Sequence, residues 1–246
     1  MSQIFNKSRR PVIVRRMDDV EVELPIFPLA VVLVPGELLP LHIFEERYKQ
    51  MMRHVLDDER HFGLSFVDHA EVGSETPPAI GSVGCEAQVS AVVPLAEGRM
   101  NLLTIGSGRF VIKSFSQLSP FLIARVERFS DMPDESPEVE SLADKVRMLF
   151  DRLAAAARTL SNDASEQGEL EHGVTPEALS FLVAANIALD NPLKQEMLEM
   201  TNTMRRLAML DEKLGSMVET YEYRATMHGR SKGNGHGKKP PVVDED

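Results

Sequence analysis

The order of apolar and polar positions divides the chain into a strand-rich first half and a helix-rich second half. An apolar run over 26–34 stops at Pro35-Gly36, a residue pair that suits the middle of a type II turn, and a second run covers 38–44. The spacing of apolar residues then becomes helical over 44–55, with Phe44, Tyr48, Met51 or Met52, and Val55 on one side. The sequence therefore predicts two strands that fold back on each other, followed directly by a helix that covers the sheet.

Five further apolar runs with short connections predict more strands, at 62–67, 80–95, 101–105, 109–115 and 121–129. The tetrapeptide at 96–99 is a hairpin signal, and Gly106-Ser107-Gly108 is typical of a turn or a bulge. The first half of the chain thus contains about seven predicted strands. We expect an antiparallel barrel, closed or nearly closed, because closure leaves few unpaired strand edges.

Helical spacing dominates after residue 129. The acidic stretch 130–136 predicts a linker, and Ser136-Pro137-Glu138 predicts a helix start with a capping hydroxyl, a proline and an acid in their preferred places. Apolar residues then recur at alternating spacings of three and four from Val139 to Leu160, which is a heptad seam. We expect an internal helical bundle rather than a dimeric coiled coil, because further helix starts follow at Thr175, Asn191 and Asn202.

Size and charge are those of an ordinary soluble protein, with 246 residues, 43% hydrophobic and 26% charged. The net charge of −11 argues against a broad nucleic-acid surface, since phosphate binding needs basic side chains. No apolar run approaches the ~20 residues of a membrane-spanning helix. The single cysteine, Cys85, excludes an internal disulfide and fits a reducing compartment, so we expect a cytoplasmic protein with a buried structural thiol.

Sequence motifs for catalysis are missing. The Gly237-Lys238 pair has lysines at 232 and 239, where a phosphate-binding loop requires a glycine and a hydroxyl residue. No G-x-S-x-G elbow or H-E-x-x-H helix occurs, and the histidines at 42, 54, 61 and 69 lack zinc-ligand spacing. We therefore expect a protein that is not an enzyme, with no catalytic residues, no metal site and no cofactor.

The segment from Leu24 to Met52 resembles the amino-terminal substrate-recognition domain of the Lon protease family. The matching residues are LPIFPL at 24–29, VPG at 34–36, LPLHIFE at 39–45 and RY at 47–48, and looser matches continue to Leu214. The resemblance is closest to small stand-alone members of the family, which lack its ATPase and peptidase domains. The barrel of this family is similar to the PUA fold.

This resemblance implies an α+β protein: a PUA-like antiparallel β pseudo-barrel with one early helix, followed by a C-terminal α-helical bundle. The expected divisions are a flexible N-terminus at 1–22, the barrel domain at 23–130, the helical bundle at 137–228 and a disordered tail at 229–246. The tail is rich in Gly, Lys, Ser and Pro and ends in an acidic triplet, so it cannot bury apolar surface.

The resemblance also implies a function. It implies a non-catalytic module that recognises unfolded or exposed polypeptide segments, as an adaptor or chaperone-like factor in protein quality control, with a separate ATP-dependent protease or chaperone as a further partner. Shallow apolar grooves with a charged rim would bind such segments, and flexible methionines suit these promiscuous contacts, with core packing as the alternative for any one of them. The exposed face of the first helix is the other candidate surface. A merely solvated helix face is the alternative. The predicted peptide-binding residues are Glu46, Arg47, Gln50 and Met51.

The alternative function is RNA binding by a PUA-like protein. It would need a basic stripe near the barrel opening, but the barrel cations do not cluster in the sequence. The overall negative charge also argues against nucleic acid as a partner. The barrel cations in question are Arg99, Arg109, Lys113 and Arg125.

Overall fold

The computed structural model describes residues 21–68, 76–161 and 173–233. Within these ranges a strand-rich half precedes a helical half, and the protein is α+β, as expected. The strands are β1 (Val22–Leu29), β2 (Leu38–Ile43), β3 (His61–Phe66), β4 (Val83–Pro94), β5 (Met100–Gln117) and β6 (Leu122–Phe129). The helices are α1 (Glu46–Asp57), α2 (Pro137–Ser161), α3 (Pro176–Asn186), α4 (Asn191–Glu199) and α5 (Thr203–Gly233).

Five of the strands close into a ring, and β2 is attached to its side. The strand order is β2-β5-β4-β3-β1-β6, and β6 also pairs with β5, which closes the ring. The length of β5, 18 residues, makes this possible, because its first half pairs with β2 and its second half with β6. A shift in the β4–β5 register at Ser107 confirms the predicted bulge, and a short 3-10 turn at Ala96–Gly98 forms the predicted hairpin.

Three details of the strands differ from the prediction. The runs 101–105 and 109–115 form the single strand β5, so the described ranges contain six strands rather than seven. β1 pairs with β3 in parallel, because β2 and α1 between them provide a connection long enough for a crossover. β1 and β2 are not neighbours. The first strand covers Val22–Leu29 instead of the predicted 26–34, and residues 32–34 lie in the core as part of the connection to β2.

The predicted type II turn at Pro35-Gly36 is confirmed, and it presses against β5. Gly36 has a φ of +81°, and the Glu37 N–H donates to the Val34 carbonyl at 3.1 Å. The Gly36 N–H donates to the Gly106 carbonyl (2.8 Å) and the Gly106 N–H to the Glu37 carbonyl (2.9 Å), so two residues oppose one in a G1-type bulge. A Cβ at position 106 would lie 2.1 Å from the Val34 oxygen, which requires glycine there.

The heptad seam of α2 packs inside the protein, as expected. It packs against α5. The two helices run in the same direction, as two ion pairs show: Lys145 pairs with Asp211 (2.6 Å), and further along both helices Arg152 pairs with Glu222 (2.9 Å). The other helix starts are also as predicted to within a residue, with N-caps from Thr175, Asp190 and Asn202.

The first strand and the last helix both extend past the expected domain boundaries. α5 continues to Gly233, past residue 228, where the bundle was expected to end. β1 begins at Val22, the last residue of the expected flexible N-terminus, while residues 1–20 and 234–246 lie outside the described residues. In the described part of the chain, no helix combines the length and the apolarity needed to cross a bilayer.

A buried ion cluster joins the barrel to the bundle. Asp131, in the stretch expected to be a linker, has a side chain only 2% exposed. Its carboxylate accepts hydrogen bonds from Arg109 of β5 (2.5 Å) and from Arg206 (2.6 Å) and Thr203 of α5. Burial alone would raise the pKa of Asp131, but the hydrogen bonds and charges of Arg206, Thr203 and Arg109 outweigh it and lower that pKa.

Aromatic and backbone groups complete this junction. The ring centroid of Phe181 in α3 lies 4.9 Å from the guanidinium of Arg109 and 4.0 Å from that of Arg206. Arg109 also donates to the Leu198 carbonyl at 3.1 Å. Phe181 and Leu198 belong to the barrel core, so the bundle completes that core and the barrel is held in a fixed position against it.

Candidate functional site

A groove opens where the end of β1, the strand β2 and the start of α1 meet. Its volume is about 210 Å³, and it is lined by residues 27–29, 41–45, 47 and 48. Three separate elements therefore supply its walls. A wider depression of about 440 Å³ lies along the first turns of α2, but all of its lining residues belong to that one helix. The groove beside α1 is the better candidate for a binding site.

The floor of the groove is aromatic and is fixed by α1. Phe27 and Tyr48 are buried, with ring centroids 4.0 Å apart. Tyr48 lies on the apolar face of α1 with Met51, Met52 and Val55, as the helical spacing predicted. Burial raises the pKa of Tyr48, so its phenol stays neutral at physiological pH. The floor is therefore an uncharged, closely packed surface.

The rim carries an exposed aromatic ring and an ion pair. Phe44, just before α1, is 59% exposed, and its ring stacks on His42 with centroids 5.8 Å apart. His42 lies in β2 and shares a hydrogen bond of 2.6 Å with Asn101 of β5, which holds the imidazole in place. Arg47 donates to the Glu45 carboxylate at 3.0 Å. Because these two charges neutralise each other, the groove is suited to uncharged apolar groups.

The structure brings one of the four predicted binding residues to the groove, namely Arg47. Glu46 is exposed but is held in an ion pair with Lys49 at 2.8 Å, and the hydrogen bond from Lys49 is the main cause of its lowered pKa. Gln50 is half-buried on α1. Met51 is 0% exposed and lies in the core, so it has no surface for a peptide to contact. This placement corrects the prediction of Met51 as a peptide-binding residue and agrees with the alternative that this methionine fills the core.

The sequence analysis missed Phe44, the most exposed apolar residue of the groove. Its spacing from Tyr48 predicted that it faces the core with that residue. However, α1 begins at Glu46, with Glu45 as its N-cap, so Phe44 precedes the helix and points elsewhere. The signal was present in the acidic pair at 45–46, because acids concentrate at helix N-termini.

The barrel cations do not form the basic stripe that RNA binding requires. Arg109 is buried in the ion cluster at the junction. The others have acidic neighbours: Lys113 pairs with Glu127 (2.5 Å), Arg125 with Glu23 (3.9 Å) and Arg99 with Glu97 (3.9 Å). Nothing in the geometry therefore supports the RNA-binding alternative. Within the described ranges, no group of three or more His, Cys, Asp or Glu residues is arranged to hold a metal ion.

Cys85 is buried in the barrel core, as the sequence predicted. Burial is the main cause of its strongly raised pKa, and the nearby carboxylate of Glu86 adds to it. Since the thiolate is the reactive form, we expect no reaction of the native protein with Ellman's reagent at pH 8, and one thiol per chain after unfolding in guanidinium. Rapid labelling of the native protein would contradict this placement of the thiol.

Comparison with known proteins gives a consistent result over most of the chain. The family model for the ATP-dependent protease La (LON) substrate-binding domain matches residues 23–214. Among curated proteins, the Lon protease of Anaeromyxobacter dehalogenans is 29% identical over 212 residues, covering 85% of this chain and 25% of that protein. The Lon protease of Geobacter metallireducens is 27% identical over 214 residues, covering 85% of this chain and 26% of its own length. The chain thus spans about a quarter of the length of these relatives.

Solved structures share the fold. A Lon N-terminal domain protein from Xanthomonas campestris matches with a TM-score of 0.55 and 23% identity, covering 77% of this chain and 96% of that one. The N-terminal domain of the Lon protease of the Mycobacterium avium complex matches with a TM-score of 0.58 and 17% identity, covering 79% of this chain and 98% of that one. At these identities the likeness concerns the fold alone.

Proposed function

Because the chain belongs to the Lon substrate-binding domain family, we propose that it is a non-catalytic module that binds unfolded or exposed segments of other polypeptides. Membership of this family makes it a substrate-recognition module. The observation that carries the rest of the proposal is the groove between β1, β2 and α1, with its buried aromatic floor and the exposed ring of Phe44 at its rim.

The size and polarity of the groove suit one side chain of an extended segment. Sites for whole small molecules enclose roughly 300–1,000 Å³. This groove is smaller, about 210 Å³, and opens beside a strand edge. An unfolded chain exposes the apolar side chains that a folded protein buries, so an uncharged anchor site of this kind distinguishes unfolded from folded proteins.

We place this activity in protein quality control, in the cytoplasm, where the module acts as an adaptor or as a chaperone-like factor. The proposed clients are unfolded segments, and the proposed further partner is a separate ATP-dependent protease or a chaperone. The family model that matches residues 23–214 is that of a substrate-binding domain, and the curated relatives named above are Lon proteases, which supports a role in holding or delivering protein substrates.

Replacing Phe44 by serine tests the groove directly. Burying an aromatic side chain contributes about 1.5–3 kcal/mol, so we expect Phe44→Ser to weaken binding of an apolar model peptide by about tenfold or more. We expect a matching loss in the suppression of aggregation of a chemically denatured protein, measured by light scattering without ATP. The folded state should be unaffected, because Phe44 is exposed.

Ile80→Ser is the matched control, since Ile80 is 68% exposed and does not line the groove. It should leave both peptide binding and aggregation suppression unchanged. Equal losses in the two variants would show that general surface apolarity, and not the groove, is responsible. Hydrolysis of ATP or cleavage of casein by the pure protein would overturn the non-catalytic assignment.

A further inference from the structure

Strand β2 is at the edge of the sheet, and the hydrogen bonds at its start fix which of its backbone groups point outward. The Gly106 N–H donates to the Glu37 carbonyl at 2.9 Å, so these two residues form a hydrogen-bonded pair. In an antiparallel pair of strands, hydrogen-bonded and non-hydrogen-bonded residues alternate. Leu39, Leu41 and Ile43 therefore direct their backbone groups toward β5, as Glu37 does, and the residues between them direct theirs away from it. These residues are Leu38, Pro40 and His42.

Two other observations agree with this assignment. Pro40 has no N–H to give to the ladder, which is compatible with a backbone that faces outward on an edge strand. The neighbouring Leu39 directs its carbonyl toward β5, where the Thr104 hydroxyl donates to it at 2.8 Å. In the part of the chain that the structure describes, β5 is the only strand paired with β2. The outer edge of β2 thus offers three carbonyl acceptors and two N–H donors on exposed residues.

We propose that an extended segment of an unfolded polypeptide adds a strand to this outer edge of β2 and places alternate side chains in the groove. This inference rests on the proposed function and specifies how the segment is held. Leu41 and Ile43 point to the inner side of β2 and line the groove. A strand paired with β2 continues the β5–β2 ladder and delivers every second side chain to that same side.

The chemistry of the edge favours a peptide strand over a second copy of the protein. Two copies joined through this edge would both lack the N–H of Pro40, and carbonyls would remain unpaired. A peptide without proline supplies its own N–H donors to all three carbonyls. Main-chain pairing also depends little on side-chain identity, which suits a module that must accept many unfolded sequences.

Backbone N-methylation of a peptide tests strand addition, because it removes one N–H and leaves every side chain unchanged. The probe is a nine-residue fluorescent peptide of alternating threonine and valine with a central phenylalanine, and binding is measured by anisotropy. With single N-methyl groups placed along the peptide, we expect losses of about fivefold or more at every second position and little change between them. The phase relative to the phenylalanine reports whether the added strand is antiparallel or parallel.

A variant pair tests the same edge from the side of the protein. Leu38→Pro removes an outward N–H without taking a hydrogen bond from the β2–β5 ladder, whereas Leu38→Ala removes the exposed side chain and keeps that N–H. We expect Leu38→Pro to bind the unmethylated probe at least threefold more weakly than Leu38→Ala, with thermal unfolding confirming that both are folded.

The outcomes separate this inference from the function on which it rests. The proposed function would be overturned if the unmethylated probe failed to bind, or if Phe44→Ser left its binding unchanged. Binding that depends on Phe44 but shows no two-residue period on N-methylation would overturn strand addition alone. A dimer in light scattering that Leu38→Pro dissociates would also overturn it, because a second copy would then occupy the edge.

Discussion

Asp131→Ala is expected to destabilise the protein by about 3–5 kcal/mol, which is the usual cost of removing one partner from a buried ion pair. The Asp131 carboxylate is the shared acceptor of Arg109 and Arg206, whose side chains are 2% and 0% exposed. Without it, two guanidinium groups remain buried next to each other, with Glu177 at 3.1 Å from Arg109 as partial compensation. Urea unfolding followed by circular dichroism gives the change in free energy.

Acid titration of the wild type and of a second variant, Asp131→Asn, gives a further measurement. The folded-state pKa of Asp131 is lowered, so its contribution to stability is fully present above the unfolded-state value near 3.8 and is lost as pH falls through the folded-state pKa. We therefore expect the wild type to lose stability below about pH 4 more steeply than Asp131→Asn, which has no carboxylate to protonate there.

Asp144→Ala provides the matched control for Asp131→Ala. Asp144 is an exposed carboxylate on the solvent side of α2, so its removal should change the free energy of unfolding by less than about 0.5 kcal/mol. A similar small change for Asp131→Ala would mean that the ion cluster does not hold the barrel against the bundle.

Gly106→Ala is expected to destabilise the protein by about 3 kcal/mol or more, at or above the upper end of the usual costs of overpacking. The added Cβ would lie 2.1 Å from the Val34 carbonyl oxygen, which is a backbone atom, and the backbone also fixes the position of the Cβ, so no side-chain rotation relieves the contact. The two hydrogen bonds that fasten the turn to β5, at 2.8 and 2.9 Å, would have to lengthen. This turn leads directly into β2, so peptide binding at the groove should fall as well.

Gly108→Ala is the control for that substitution. Gly108 lies in the same strand, and a Cβ there would meet no atom within 4 Å. We expect a change of less than about 0.5 kcal/mol in the free energy of unfolding, measured by urea titration. If both alanine variants are equally stable, the turn has room to move away from β5 and does not fix the position of β2.

The sequence by itself determined the features that depend on residues close together in the chain. The turn at Pro35-Gly36, the capped starts of the helices and the heptad seam of α2 were all predicted, because turn geometry, capping and helical spacing act over a few residues. The run of short strands predicted a barrel, and the family resemblance, carried by a short run of prolines and aromatics, added its likeness to the PUA fold and the function that it implies.

Only the tertiary structure decided which strands are partners and which side chains are exposed. The parallel pairing of β1 with β3, the burial of Asp131 between two arginines and the exposure of Phe44 all depend on contacts between residues far apart in the chain. An apolar pattern shows that a residue has a buried side, but it does not show what covers that side. For this reason Met51, which was predicted to contact peptide, lies in the core. The groove is visible only in the tertiary structure, where β1, β2 and α1 come together.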